Sequence, residues 1–229
     1  METDLTPFFK KYEELSAMAG GVFERVKKDY PECVKCKTHC SDCCHALFDL
    51  SLIEALYINH HFKKKFEGKE KDGLIERANR ADRVVYKIKK KAYKDLKAGK
   101  NEGEVLTEIA KERVRCALLN DEDKCDLYEY RPITCRLYGI PTSIGSEVYT
   151  CGMSGFMEGK QYPTVKLDII QSKLYEISAE LVKAIRSKHV KMADMLVPLS
   201  MALLTDYNEE YLGIITGKDA NEKQGEKND

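Results

Sequence analysis

The segment CVKCKTHCSDCC, residues 33–44, places five cysteines within twelve positions. Cysteine thiolates are strong ligands for soft and borderline metals, and two intervening residues form a turn that can aim two thiolates at one centre. Adjacent cysteines project in different directions, so the last two either serve two centres or one of them only packs. The segment predicts a metal or iron–sulfur site built from Cys33, Cys36, Cys40, Cys43 and Cys44.

Four further cysteines follow after a gap of more than seventy residues, at Cys116, Cys125, Cys135 and Cys151. Their wide spacing suits ligands contributed by successive loops. The total of nine is odd, which fits poorly with a complete set of intrachain disulfides. The N-terminus has no basic segment followed by an apolar one, so we expect no signal peptide and a cytoplasmic protein with reduced thiols.

The composition is that of an ordinary globular chain, with 43% hydrophobic and 33% charged residues among 229. The formal net charge is zero, which gives no overall attraction to nucleic acid or to an anionic membrane. No run of about 18 apolar residues is present, so the sequence predicts no transmembrane helix. We therefore expect neither nucleic acid nor membrane as a partner, and the composition leaves the oligomeric state open.

Helical periodicity dominates outside the cysteine-rich segments. Thr6 is the predicted cap of a first helix and Pro7 suits its first position, and Ser51 with Glu54 forms a capping-box pattern for a second helix. Gly99 suits the end of a long third helix. The predicted helices are residues 4–30, a helix from 52, 72–98, 104–116, one from 164, one around 192–196, and a last short helix over 207–215, with a short β segment around 146–149.

Turn-forming residues interrupt the periodicity between Cys116 and Gly152. A chain that folds around a metal needs such turns because the ligands must arrive from several directions. The predicted fold class is mostly α, with helices packed around a loop-rich, cysteine-ligated metal centre. We expect one cysteine-cluster domain over 1–216, with a core motif at 33–151 and flanking helices at 4–30 and 163–216, followed by a disordered tail at 217–229.

Two motifs make the chain resemble the YkgJ-type cysteine-cluster family, which is described as zinc- or iron-chelating. The first is Cys40-x2-Cys43-Cys44, and the second is CDLYEYRPITCR at 125–136, accompanied by RCALL at 115–119. The family's first cysteine falls where Lys37 stands here, so Cys36 is one position early and Cys33 is extra. Leu127 replaces the family's usual isoleucine.

Eight cysteines in the family pattern imply two four-cysteine centres or one larger assembly, and thus one or two iron–sulfur clusters. We expect Cys33 to be dispensable because it has no counterpart in the family. The alternative is that Cys33 and Cys36 form a paired chelate, which would leave Cys43 or Cys44 to pack as a small buried residue. The resemblance thus implies as metal ligands Cys36, Cys40, Cys43, Cys44, Cys116, Cys125, Cys135 and Cys151.

An iron–sulfur cluster, with 4Fe-4S favoured, is the expected cofactor, and zinc is the alternative, because all-cysteine sites serve both. A protein N-methylase that resembles this family carries such a cluster. The leading hypothesis is a redox or electron-transfer role with a redox partner protein. The alternatives are a zinc-stabilised interaction module and a cluster-dependent group-transfer enzyme, a relative of the protein N-methylase.

Positive charge and hydrogen-bond donors stabilise an anionic thiolate site, so Arg115, Arg131, Arg136 and Tyr128 are candidate residues around the cofactor. The arginines could instead pair with surface carboxylates of 121–123 and Glu129. His39 and His45 flank the first cysteine run and could complete a mixed zinc site. His60, His61 and His189 are expected to be surface or packing residues.

The segment 77–100 holds ten lysines and arginines but only two acidic residues. Such a segment could dock an acidic redox partner or phosphates. A charge run on a long helix is more often a solvated face, and we adopt that interpretation. Tyr86 and Tyr93, seven residues apart, are expected to make core contacts.

Overall fold

Seven α-helices form most of residues 4–215, the part of the chain that the computed structural model describes. The mostly-α prediction is therefore confirmed. Within these residues no helix is both long enough and apolar enough to cross a bilayer. The helices are α1 Thr6–Asp29, α2 Leu52–Lys65, α3 Gly68–Lys97, α4 Glu102–Lys111, α5 Ile133–Leu137, α6 Leu167–Ala184 and α7 Leu199–Leu204.

Five short strands join these helices. β1 (Asp49–Ser51) pairs antiparallel with β5 (Leu196–Pro198), which joins the start of α2 to the start of α7. β2 (Thr142–Ile144) pairs antiparallel with β3 (Glu147–Tyr149) and parallel with β4 (Val165–Lys166). The predicted β segment around 146–149 is thus confirmed as β3. Short 3₁₀ turns occupy 42–45, 128–130 and 190–194.

Helix α2 lies between two hydrophobic cores. Leu52, Ile53 and Leu56 face a core shared with α1, α5 and α6, and Ile58 and Phe62 face a second core shared with α3 and α7. A helix that is apolar around most of its circumference is stable only when neighbours cover both sides. The α2 sequence therefore fixes its central place.

The predicted start of α2 is confirmed, whereas the predicted cap of α1 is wrong. Ser51 and Glu54 form the capping box, in which the Ser51 N–H donates to Glu54 Oε2 at 3.2 Å. Thr6 is already inside α1, and Leu5 occupies the cap position. The Asp4 carboxylate accepts the Thr6 N–H at 2.9 Å, so the side chain that satisfies this donor lies two residues earlier.

The long third helix extends from Gly68 to Lys97, and Gly99 follows it with a positive φ of 87°, as predicted. Its buried residues are Leu74, Ala78, Val85 and Ala92. Tyr86 and Tyr93 are each 61% exposed, so the prediction that they make core contacts is wrong. Tyr86 and Tyr93 directly follow the buried residues Val85 and Ala92, so the rotation of about 100° per residue turns them away from the core.

Two other helix predictions fail where tertiary pairing competes. α4 ends at Lys111 rather than Cys116, because residues 113–116 pair with residues 44–46 through Val114 N–H to His45 O (2.9 Å) and Cys116 N–H to Cys44 O (2.7 Å). Residues 207–215 form turns instead of a helix. Gly213 adopts a positive φ of 62° there, and Ile214 bridges to Ser187. The predicted disordered tail, 217–229, lies outside the described residues.

The region around residues 192–196 also differs from its predicted helix. A 3₁₀ turn at Val190–Asp194 leads directly into strand β5, and α7 begins only after Pro198. Pairing of Leu196 with Ser51 and of Val197 with Leu50 accounts for the extended backbone. This arrangement places the start of α7 beside the cysteine-rich loops.

Candidate metal centre

Five of the nine cysteines line one cavity of about 60 Å³. The cavity lies between the start of α7, the middle of α3 and the loops that carry the cysteines. Its apolar wall includes Ile58 of α2 and Val85 of α3. The cysteines are Cys43, Cys44, Cys116, Cys125 and Cys135.

Backbone pairing brings the first four of these cysteines together. Cys43 and Cys44 lie on the 3₁₀ turn at 42–45, and the Cys116 N–H donates to the Cys44 carbonyl at 2.7 Å. Cys125 forms a β-bridge with Leu119, and the Asp126 N–H donates to the Leu118 carbonyl at 2.8 Å. A closed loop over 118–126 therefore returns the chain to the same side of the cavity.

The Asn120 and Asp126 side chains hold this loop in shape. Asn120 Oδ1 accepts the N–H groups of Glu122 and Lys124, both at 3.0 Å, and its amide donates to Asp126 at 2.9 Å. Arg77 of α3 donates to the other Asp126 oxygen at 3.1 Å and to the Leu119 carbonyl at 3.1 Å. The loop is thereby attached to the long helix.

The fifth cysteine, Cys135, sits on the short helix α5, whose first N–H is held by a buried carboxylate. Ile133 N–H donates to Glu54 Oε1 at 3.1 Å, and the Tyr12 hydroxyl approaches the same oxygen at 3.5 Å. Burial raises the pKa of Glu54, while these hydrogen bonds oppose the rise. Glu54 was predicted only as a helix cap, and its second contact at α5 was missed because residue 133 is distant in sequence.

Two of the four candidate cationic and aromatic residues reach the cavity. Arg115 and Arg131 line it. The hydrogen bond from Cys44 lowers the pKa of Cys43, and the charge of Arg131 adds to this effect, whereas burial raises the pKa of Cys125 and Arg131 opposes the rise. Arg115 also donates to the Asn120 carbonyl at 2.9 Å and lies 3.7 Å from Asp121. Arg115 therefore makes the predicted surface contact with a carboxylate and also lines the cavity.

The other two candidates lie beside the cavity rather than on it. Tyr128 is 60% exposed, and the Arg131 guanidinium stacks on its ring at 3.7 Å. Arg136 donates to the backbone carbonyls of Arg131, at 3.0 Å, and Glu129. These contacts fix the turn that carries Arg131, so both residues act on the cavity wall through their neighbours.

The thiol pKa values follow burial and mutual contact. The Cys44 thiol donates to Cys43, which lowers the pKa of Cys43 and raises that of Cys44. Burial raises the pKa of Cys116 to about 12 and that of Cys135 well above the usual range. Neutral thiols are thus favoured when no cation is present to compensate the buried charge.

A second group of cysteines lies beside the first. Burial first, and then the neighbouring thiols of Cys40, Cys151 and Cys43, raise the pKa of Cys36 to about 11. Gly139 makes room for this group, since a Cβ atom there would stand 2.2 Å from Cys36 Sγ. Cys43 also acts on Cys116 and Cys135, so it lies between the two groups.

Asp42 fixes the last cysteine of the second group. The Cys151 thiol donates to Asp42 Oδ2 at 3.3 Å, and Arg113 donates to Asp42 Oδ1 at 2.5 Å and to the Asp42 carbonyl at 2.9 Å. Arg113 and Asp42 were not predicted as site residues. The Asp42 position inside the cysteine run was the only available signal.

Cys33 and the flanking histidines make mainly backbone contacts. The Cys33 carbonyl accepts the Gly155 N–H at 2.8 Å. His39 Nδ1 lies 2.8 Å from the Glu122 carbonyl, and His45 Nδ1 lies 3.0 Å from the Ser41 carbonyl. Among residues 4–215, no three histidine, cysteine, aspartate or glutamate side chains converge closely enough to hold a single metal ion.

A family model described as "CxxCxxCC: Putative zinc- or iron-chelating domain" matches residues 35–152, slightly more than half of the chain. The chain belongs to this CxxCxxCC family. The match includes every cysteine from Cys36 to Cys151 and begins two positions after Cys33. The suspected cysteine-cluster family is thereby confirmed, and metal binding is supported at the level of zinc or iron. Neither a curated protein nor a solved structure matches the chain.

Several residues of the cavity wall lie far from the CxxCxxCC motifs in sequence. Ala81 and Val85 come from α3, and residues 198–200 from the start of α7. No sequence pattern marks these residues, because only helix packing brings them to the cysteines. Next to them Tyr130, which belongs to the 125–136 motif, also lines the cavity and stacks on His61 of α2, with ring centroids 3.7 Å apart.

Proposed function

We propose that this CxxCxxCC protein binds iron–sulfur clusters through its cysteines and transfers electrons. The observation that carries the proposal is the cavity with five thiols on its wall. At about 60 Å³ this cavity exceeds the roughly 10–15 Å³ that one water needs. Four thiolates around a single zinc ion, at about 2.3 Å each, would close such a space. A larger group with thiolate ligands suits it better.

Two four-cysteine sets account for the grouping of the thiols. The inner set would be Cys44, Cys116, Cys125 and Cys135, and the outer set Cys36, Cys40, Cys43 and Cys151. Cys43 lies between the two groups and is assigned to the outer set. The adjacent residues Cys43 and Cys44 then belong to different sets. Cys33, outside the family match, would be the spare thiol.

The surrounding residues would stabilise the anionic thiolates. Arg115 and Arg131 provide positive charge on the cavity wall, and the apolar side chains of Ile58 and Val85 exclude water. An iron–sulfur cluster supplies a one-electron carrier whose potential depends on this charge and burial. Tyr128 and Arg136 would contribute by holding the turn that presents Arg131.

A group-transfer enzyme is the second candidate, and the apolar wall of the cavity favours it. Leu47, Phe48 and Leu199 line the cavity together with the cysteines, which would suit a small apolar substrate group next to a cluster. Binding of a ligand beside these apolar side chains, seen as a change in the visible spectrum of the metal-loaded protein, would separate this candidate from a pure electron carrier.

Anaerobic purification followed by iron, sulfide and zinc analysis tests the proposal. We expect a brown protein with iron and acid-labile sulfide in equal amounts. The Cys125→Ser and Cys135→Ser variants should lose iron and sulfide, and the matched Cys33→Ser variant should keep both. Stoichiometric zinc without sulfide would contradict the iron–sulfur assignment and would support a zinc-stabilised interaction module.

A further inference from the structure

Five cations form a line along the outer face of α3. Arg83, Lys87, Lys90, Lys94 and Lys97 are all exposed, and none of them takes part in an ion pair within residues 4–215. At 3.6 residues per turn they fall within an arc of about 80° and span about 21 Å of helix. We call these five residues the basic line.

The basic line is bounded at both ends by carboxylates. Asp72 and Glu76, both exposed, lie on the same face of α3 about two to three turns before it. After the helix, exposed Glu102 and Glu104 open α4, and Glu108 of α4 pairs with Lys91 at 3.6 Å. An extended polyanion such as RNA would reach beyond the basic line and would be repelled by these carboxylates. A compact acidic patch about 20 Å long would match the line alone.

Two tyrosines border the line and make it more than a solvated charge run. Tyr86 and Tyr93 are each 61% exposed, and Lys90 and Lys97 lie 5.5 Å and 5.6 Å from their ring centroids. Tyrosine is enriched in the centres of protein–protein interfaces, where its ring is covered and its hydroxyl stays hydrogen-bonded. The patch combines aromatic anchors with charge of one sign.

The same helix separates this patch from the cysteine cavity. Ala81 and Val85 line the cavity from the buried side of α3, roughly opposite the basic line around the helix axis. Only the thickness of one helix, about 10 Å with side chains, lies between a molecule bound to the patch and the cavity wall. A bound electron donor would therefore be close to the thiols.

We propose that the basic line, with Tyr86 and Tyr93, is the docking site for an acidic electron-carrier protein. The electron-delivery part rests on the function proposed above, whereas the docking surface itself does not. One electron would leave the anionic flavin hydroquinone of the reduced carrier, which becomes the neutral semiquinone without loss of a proton, and this electron would be gained by the metal centre behind α3. Complementary charge would speed the encounter and orient the carrier.

Binding of a labelled acidic flavodoxin to the metal-loaded full chain tests the docking site. The test variant is Lys87→Glu/Lys90→Glu/Lys94→Glu. The control is Lys10→Glu/Lys173→Glu/Lys183→Glu, which changes the same charge at exposed positions of α1 and α6 that form no ion pair within residues 4–215. We expect the test variant to bind about tenfold more weakly at low salt, the control to bind as the parent does, and the difference to shrink as salt rises.

Three results would overturn the docking site. They are no flavodoxin binding by the parent at low salt, equal binding by parent and test variant, or tighter binding of a single-stranded oligonucleotide that the test variant loses. A test of reduction by dithionite distinguishes failure of the docking site from failure of the proposed electron-transfer function. If dithionite reduces no metal centre in any variant, the electron-transfer role fails, while the binding comparison still decides the docking site.

Discussion

At the scale of single residues, the outer cysteine set depends on close contacts that leave no room for larger side chains. A Cβ at Gly139 would meet Cys36 Sγ at 2.2 Å and Phe23 of α1 at 3.2 Å. Gly155 is also close to its neighbours, since a Cβ there would stand 2.9 Å from the Glu32 carbonyl oxygen. Small residues therefore set how closely the loops approach the cysteine run.

The Gly139→Ala substitution should displace Cys36 and weaken the outer set. We expect loss of roughly half of the bound metal, with the inner set retained, because Gly139 does not line the cavity. Metal analysis of the purified variant measures this. Gly21→Ala in α1 is the control, since nothing lies within 4 Å of a Cβ at that position. Unchanged metal content in Gly139→Ala would argue against Cys36 as a ligand.

The spare thiol is a second question at this scale. We expect Cys33→Ser to keep full metal content, whereas Cys36→Ser and Cys44→Ser should each lose one centre. Comparison of iron content among the three variants gives the result. Metal loss in Cys33→Ser combined with full content in Cys44→Ser would reverse the assignment and leave Cys44 as a packing residue.

At the scale of elements, α2 links the packing of the helices to the cysteine loops. Its Glu54 accepts the first N–H of α5, and its His61 stacks on Tyr130 of the cavity wall with an interplanar angle of 10°. The packing role expected for His61 is thus confirmed. Its pKa is lowered to about 4, first by burial and then by the charges of His60 and Lys64, while Glu13 opposes the shift.

This lowered pKa predicts a pH dependence of stability. The unfolded chain binds a proton at His61 near the ordinary pKa of 6.5, and the folded chain only near 4. The contribution to the free energy of unfolding is therefore fully present above pH 6.5 and is lost as the pH falls toward 4. His61→Phe, which keeps a ring against Tyr57 and Tyr130, should lose less stability between pH 7 and pH 5 than the parent.

Urea midpoints at the two pH values measure this difference. His189→Phe at an exposed position is the control, because His189 lies outside α2 and outside the stacked contact of His61 with Tyr130. An equal loss of stability in the parent and in His61→Phe would show that protonation of His61 does not govern the acid sensitivity of α2.

At the scale of the whole molecule, two hydrophobic cores support a site that is itself built from loops. The cores bury α1, α2, α6 and α7, whereas residues 112–132 contain only one 3₁₀ turn and short bridges. Arg77 and Asn120 hold part of this loop through hydrogen bonds. The remaining order is expected to come from the metal, since ligation and local folding are coupled.

Removal of metal should therefore loosen the loops before the cores. In Cys125→Ser and Cys135→Ser we expect proteolytic cleavage within 112–151 to be on the order of tenfold faster, with α1 and α6 still resistant. Mass spectrometry of limited digests locates the cuts. Cys33→Ser serves as the control. If both test variants keep their metal and resist protease as the parent does, Cys125 and Cys135 are not ligands.

The sequence by itself determined the helical class, the capping box of Ser51 and Glu54, the end of α3 at Gly99 and the CxxCxxCC family. These features depend on neighbours within a few positions, where periodicity, turn chemistry and ligand spacing act directly. It also indicated which loops would carry the thiols.

Only the tertiary structure decided which thiols share a cavity, which arginines reach it and which face of α3 is exposed. The outward positions of Tyr86 and Tyr93 and the strand pairing that ends α4 before Cys116 depend on partners distant in sequence. The close approach of Gly139 to Cys36 and the hydrogen bond of Glu54 to α5 also join residues distant in sequence, so only the tertiary structure shows them. Local sequence patterns reflect interactions within one segment of the chain. The site, in contrast, results from contacts between segments that are distant in sequence.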